Sequence, residues 1–182
     1  TEPSADGPLF VKANQLSIEQ GTTTDQCFEF LAQVSARFNF KTLMMGYYNT
    51  AFKLGHAEYI RRLKEAGACG FILPDLPLEE ASELHQLAEE AGLAPIILMT
   101  PTNSDRRLQQ LGEAARGFVY AVARKGVTGS KTAMNQEVGQ FLERCRKVTS
   151  LPIGVGFGVA QKDDIDFISE HADIAIIGRS EE

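Results

Sequence analysis

The sequence predicts an α/β fold in which parallel strands alternate with helices, and three observations carry that prediction. Six short apolar runs recur along the chain, at residues 42–45, 70–73, 95–99, 118–123, 153–156 and 174–178. They are continuous rather than alternating, as strands covered on both faces require. Amphipathic helical segments separate them, and a strand–helix–strand alternation implies parallel pairing with the helices outside.

The elements can be justified in chain order. Thr23 followed by Gln26 fits a capping box ahead of the apolar pair Phe28 and Leu31. Glu65-Ala66-Gly67 leads into the run at 70–73, and 25 residues later Glu90-Ala91-Gly92 leads into the run at 95–99. One helix ending and one strand thus repeat as a unit, with Gly67 and Gly92 where helix C-caps belong. Leu84, Leu87, Ala88 and Ala91 share a helical face, as do Val138, Phe141, Leu142 and Cys145. No Pro/Gly/Ser-rich linker divides the chain, so residues 1–182 read as one domain. A complete (β/α)₈ barrel has eight strands. The six runs therefore fit a barrel whose first two strands and last helix lie outside this sequence, and an open doubly wound sheet has the same pattern.

Composition narrows the function classes. A chain of 182 residues that is 43% hydrophobic can bury a sizeable core. The net charge of −6 argues against broad contact with nucleic acid or anionic membrane. Cys27, Cys69 and Cys145 are far apart and odd in number. They read as small buried apolar residues of a reduced, cytoplasmic protein. No run approaches the ~18 apolar residues of a membrane span, and no signal peptide is visible. His56, His85 and His171 form no ligand spacing, so no metal site is expected.

In a parallel α/β fold the functional face lies at the C-terminal ends of the strands. The residues there are Tyr47-Tyr48-Asn49, Asp75, Thr100-Pro101, the stretch from Arg124 to Thr132, Phe157-Gly158 and Gly178-Arg179. The stretch Arg124-Lys125-Gly126-Val127-Thr128-Gly129-Ser130-Lys131-Thr132 offers backbone N–H groups, hydroxyls and three cations, which suits a phosphate-gripping lid. It is not a nucleotide P-loop, because Lys131 stands where the second glycine should be and Ser130 precedes it. Gly156-x-Gly158 is not a dinucleotide fingerprint either, since Gln161 occupies the third glycine position. Glycine turns at 156–158 and at Gly178 fit backbone approach to a phosphate. Asp6 lies in an Asp-Gly-Pro turn signal, where a local backbone cap is its ordinary role. Asp75 ends a strand, and Tyr120 lies within one, where core packing is the default.

Four motifs carry a resemblance: Pro3-x-Ala5-Asp6-Gly7-Pro8, Pro74-Asp75-Leu76-Pro77-x-Glu79-Glu80, Arg124-x-Gly126-Val127-Thr128-Gly129 and Gly156-Phe157-Gly158. In order and spacing they resemble the α chain of tryptophan synthase, from residue 1 to about residue 178. The resemblance implies a (β/α)₈ barrel that cleaves indole-3-glycerol phosphate to indole and glyceraldehyde 3-phosphate. It implies a β-chain partner in an α₂β₂ assembly, with pyridoxal phosphate held by that partner and no cofactor in this chain. It makes Asp6 the carboxylate beside the indole N–H and Tyr120 a catalytic-site tyrosine. Tyr47 lines the pocket, and Thr128 belongs to the lid. Gly129, Phe157, Gly158 and Gly178 surround the phosphate. The family's second carboxylate, a glutamate, ends its second barrel strand upstream of the Ala-Asp-Gly-Pro motif, and neither Glu2 nor any other residue of this sequence matches it. The family usually carries Gly-Ser at the last phosphate turn, where this chain reads Gly178-Arg179-Ser180.

Two rival readings are a non-catalytic α-type chain that binds or activates a β-type partner, and a different phosphate-binding barrel such as a sugar-phosphate isomerase or aldolase. A Schiff-base aldolase needs a lysine buried at a strand tip. Lys125 and Lys131 instead fall on the polar stretch.

Overall fold

A computed structural model describes residues 8–122, 136–156 and 162–177. Among them are eight α-helices and six strands, and the strands pair in parallel in chain order. Each strand lies within one residue at its start, and up to three at its end, of the apolar run that predicted it. They are β1 (Leu43–Met45), β2 (Gly70–Ile72), β3 (Ala94–Met99), β4 (Val119–Val122), β5 (Ile153–Gly156) and β6 (Ile174–Ala175). The chain forms two compact units that divide within β3, between Ile96 and Ile97.

The first unit contains α1 (Pro8–Glu19), α2 (Thr24–Arg37), α3 (Tyr48–Leu54), α4 (His56–Glu65) and α5 (Ser82–Ala91), with a 3₁₀ turn at Leu78–Glu80. Helix α1 begins at Pro8, whose fixed φ suits the first helical position. The capping box before α2 forms as predicted: Thr23 Oγ1 accepts from Gln26 N, and Gln26 Oε1 accepts from Thr23 N at 2.9 Å. The repeated ending also holds in detail. Gly67 N donates to Lys64 O and Ala68 N to Leu63 O; Gly92 N donates to Glu89 O and Leu93 N to Ala88 O. Both are the paired bonds of a Schellman ending, with the glycine in the left-handed region at φ 75° and 72°.

Burial gathers Phe28 and Leu31 of α2, Tyr59, Ile60 and Leu63 of α4, Phe71 of β2, and Leu84 and Ala88 of α5 into one core. Tyr59 sits edge-on to both Phe28 and Phe71, at ring-centre separations of 6.1 and 5.8 Å. Such aromatic pairs add about 0.5–1.5 kcal/mol to what burial alone contributes. Burial holds the Tyr59 phenol above its ordinary pKa, so it stays neutral. The buried Thr42 hydroxyl is satisfied by Ser35 Oγ at 2.7 Å.

The second unit contains α6 (Asp105–Ala114), α7 (Gln136–Val148) and α8 (Lys162–His171). Ser104 caps α6, accepting from Arg107 N. The predicted face of α7 is the buried one: Val138, Phe141, Leu142 and Cys145 are all interior. Burial pushes the Cys145 thiol up to about 12, so it behaves as an apolar group. The expectation that all three cysteines are buried is corrected here. Cys27 is exposed and Cys69 only half-buried. Cys27 precedes the buried Phe28 on α2, and one helical step of 100° turns it away from the core.

Asp173, between α8 and β6, ties three segments together. Its Oδ2 accepts from Ile153 N at 2.8 Å and from the Arg146 guanidinium, while its own N–H donates to Ile153 O at 3.0 Å. Arg146, and then the Ile153 N–H, hold this carboxyl below its ordinary value of 3.8.

Two outcomes are expected. In an ordinary helix interior Gly→Ala stabilises by about 1 kcal/mol. A Cβ on Gly112 of α6 would stand 2.5 Å from the Val148 carbonyl oxygen, so Gly112→Ala should instead lower stability, by about 1–3 kcal/mol. Urea unfolding with an unchanged or raised midpoint would exclude that close approach. The depressed Asp173 pKa contributes stability that is present above pH 3.8 and lost as pH falls through the folded-state value. Asp173→Asn should therefore cost stability at neutral pH, by less than about 1 kcal/mol for so exposed a pair. The gap from the unsubstituted protein should close below pH 3.8. A gap independent of pH would show that the charge contributes nothing.

Candidate functional site

The strand ends of the first unit bring Tyr47 and Asp75 into one small structure. Gly46 N, just past β1, donates to Ile72 O at 3.1 Å, so the parallel ladder runs one residue beyond the strand. Tyr47 follows with extended backbone, φ −88° and ψ 146°, and is half-buried. Its carbonyl accepts from Thr50 N at 3.1 Å as α3 begins. The next N–H, that of Tyr48, donates to Asp75 Oδ1 at 2.8 Å. Asp75 reaches this donor from the turn after β2, closed by Leu76 N to Leu73 O, with Pro74 at the position whose fixed φ suits it. The predicted strand-tip segment Tyr47-Tyr48-Asn49 is thus only partly a loop, since helix starts at Tyr48.

The side chain of Tyr48 continues the structure. Its hydroxyl lies 2.9 Å from His56 Nε2, and His56 Nδ1 lies 2.7 Å from Glu83 Oε2. An ionised carboxylate only accepts, so Nδ1 carries the proton. In neutral His56 the other nitrogen then accepts from the Tyr48 hydroxyl. The His56 side chain is only 14% exposed and that of Glu83 75%, so the chain runs from the interior to the surface. Sequence reading found no ligand spacing at His56 and gave it no role. Its partners are 8 residues before it and 27 after it, and no local pattern marks them.

In the second unit the turn after β3 is bound to itself. Thr100 N donates to Asn103 Oδ1 at 2.8 Å, and the Thr100 and Thr102 hydroxyls lie 2.8 Å apart. Arg144 of α7 clamps it from outside, donating to Asn103 O at 2.6 Å and pairing with Asp105 at 2.8 Å. The polar groups of Thr100 and its neighbours therefore hold the turn's shape.

Tyr120 lies on β4, in register with Gly154 of β5. Its ring extends along β5 to Gly156, where an added Cβ would stand 2.2 Å from the phenol oxygen and 2.6 Å from Cζ. On the same strand a Cβ at Gly154 would stand 3.0 Å from both the Phe118 ring and Ile176 Cδ1. Gly154 and Gly156 thus leave one face of β5 bare, and the rings of Phe118 and Tyr120 lie over it. The opposite alternation holds Val119, Ala121, Ile153 and Val155, each with no exposed surface. Tyr120 is 8% exposed, and burial raises its pKa. The phenol therefore remains protonated near neutral pH and acts as a hydrogen-bonding group, not as a base.

Of the predicted site residues, Tyr47 and Tyr120 are thus placed at strand ends or on strands, one in each unit. Asp6, Thr128, Gly129, Phe157, Gly158 and Gly178 lie outside the described residues. Among the described residues no three His, Cys, Asp or Glu side chains gather where they would hold a metal ion, and no helix is long and apolar enough to cross a membrane.

The contact between Tyr120 and β5 has a direct test. Gly156→Ala should lower stability by about 1–3 kcal/mol through overpacking. Much of that loss should be recovered in a Tyr120→Ala background, because the clashing ring is gone. Independent, additive losses would mean that the ring does not lie over Gly156.

The family model of the tryptophan synthase alpha chain matches residues 1–180. The tryptophan synthase alpha chain of Syntrophotalea carbinolica is 43% identical over 178 residues, which cover 98% of this chain and 70% of that one. That of Desulforapulum autotrophicum is likewise 43% identical, with the same coverage of both chains. Among solved structures, Mycobacterium tuberculosis tryptophan synthase superposes with a TM-score of 0.89 at 31% identity, over 98% of this chain and 68% of that one. The likeness decides between the two architectures that the strand pattern allows: the fold is α/β of the (β/α)₈-barrel type, with six parallel strands among the described residues. By sequence and by fold, the chain belongs to the tryptophan synthase alpha chain family.

Proposed function

We propose that this chain catalyses the α reaction of tryptophan biosynthesis, the retro-aldol cleavage of indole-3-glycerol phosphate to indole and glyceraldehyde 3-phosphate. The observation that carries the reading is the match to the alpha-chain family over residues 1–180, a span that contains Ala5-Asp6-Gly7-Pro8 and Gly126-Val127-Thr128-Gly129.

The chemistry requires a proton to arrive at indole C3, the C3–glycerol bond to break, and the proton of the adjacent hydroxyl to leave as the aldehyde forms. Protonation at C3 puts positive charge on the indole nitrogen. Asp6, as the carboxylate beside that N–H, stabilises the charge and lowers the barrier to bond breaking. The proton transfers themselves fall to the second carboxylate, a glutamate that the family carries upstream of the Ala-Asp-Gly-Pro motif. Tyr120, kept neutral by burial, donates or accepts a hydrogen bond without taking the substrate's proton. Tyr47 lines the pocket. Thr128 belongs to a lid that closes over Asp6 and excludes water. Gly129, Phe157, Gly158 and Gly178 bind the phosphate through backbone amides, which glycine allows to come close.

The partner in this reading is a tryptophan synthase β chain in an α₂β₂ assembly. That chain carries the pyridoxal phosphate, and this one needs no cofactor. The basis of this reading is membership of the alpha-chain family. A cytoplasmic location follows from the pathway.

Asp6→Asn should reduce indole release from indole-3-glycerol phosphate by about 10²-fold or more while the thermal unfolding midpoint stays unchanged. Turnover within a few-fold of the unsubstituted protein would remove Asp6 from the mechanism.

A further inference from the structure

We infer that Asp75 and the chain Tyr48–His56–Glu83 are positioning residues for Tyr47, fixing its backbone at the entrance to α3 so that its side chain is presented to the substrate in one orientation. This inference rests on the lyase reading and on Tyr47 lining the pocket.

The geometry supplies an anchor on each side of Tyr47. Upstream, Gly46 N is bound to Ile72 O at 3.1 Å; downstream, Tyr48 N is bound to Asp75 Oδ1 at 2.8 Å. Both acceptors belong to the β2 segment, so Tyr47 is suspended between two bonds to one neighbouring strand and its turn. A third tie acts on the next residue. The Tyr48 ring is held at its hydroxyl by His56, which is held in turn by Glu83. His56 is the first residue of α4, and Glu83 lies in the first turn of α5. Two helices that place Tyr59, Ile60 and Leu63, and Leu84 and Ala88, in the core thus brace the start of a third that is only 7 residues long. A helix that short has little stability of its own. Its buried Ala51 seats it on the core, and these ties fix where it begins, and with that the backbone of Tyr47.

Asp75 is exposed, and water can satisfy the Tyr48 N–H if the carboxylate is removed. The bond is thus more important for where α3 begins than for whether the protein folds. Displacing a substrate-lining group by a fraction of an ångström is sufficient to lower the rate substantially.

The test is a double-mutant cycle on indole release from indole-3-glycerol phosphate, using the full chain. Asp75→Ala should lower kcat/KM by about tenfold with little change in thermal midpoint. Asp75→Asn keeps a side-chain oxygen as acceptor and should restore activity to within about twofold. In a Tyr47→Ala background, Asp75→Ala should cost less than about twofold, since the residue it positions is gone. His56→Ala should follow the same pattern and provides a second route if Asp75→Ala folds poorly. An undiminished loss in the Tyr47→Ala background, or an Asp75→Asn variant as impaired as Asp75→Ala, would overturn the inference. So would full activity of Tyr47→Ala in a protein that otherwise releases indole. Absence of indole release from the unsubstituted protein would instead remove the lyase reading, and this inference with it.

Discussion

Each strand of this protein hydrogen-bonds in parallel to the strand that follows it, so the chain must travel back before every return. That constraint explains most of what else is seen. Return segments cover the strands, which therefore read as continuous apolar runs and not as alternating ones. The strands pair in parallel, and β1, β2 and β3 each pass directly into a described connecting segment. Residues in those turns are free of the sheet's packing demands. There the chain keeps Gly46, Tyr47 and Asp75.

The turns are not left to themselves, however. A side chain from elsewhere ties down those after β1 and β3. Asp75 holds the start of α3, and Pro74 shapes the turn that presents Asp75. Arg144 holds the turn after β3 by its carbonyls and by Asp105. Helices that bury one face against the strands thus do a second task with residues at their margins. An arginine on α7 or a histidine at the start of α4 transfers the rigidity of the core to a segment that has none of its own. This arrangement suits a retro-aldol reaction, in which proton donors and acceptors must meet particular atoms of a small, rigid ring.

Much of the fold was legible in the sequence because its signals are local. A strand buried on both faces leaves a run of apolar residues, a capping box leaves Thr23 and Gln26 three apart, and a Schellman ending leaves a glycine after a helix. Each involves residues within a few positions of one another, and each was found close to where it was expected. The ends of strands were less well read: the last apolar run covers five residues, but only Ile174 and Ala175 pair with β5. Apolar character extends into the turns, whereas hydrogen bonding stops. The candidate site was legible only in part. Tyr47 and Tyr120 were identified by resemblance, but their supports were not, because those supports span 8 to 36 residues and follow no period. Asp75 could be singled out from its place at a strand end, yet its partner is a backbone N–H, and every residue except proline offers one.

The bare face of β5 has a consequence for how this chain can change. Glycine at 154 and 156 is usually weighed as a matter of chain flexibility, but here each glycine is the complement of a ring on the adjacent strand. Positions 120 and 156 therefore form one unit of variation. A larger residue on β5 can be accepted only together with a smaller one on β4, and a library that randomises either position alone will recover mainly the starting residue.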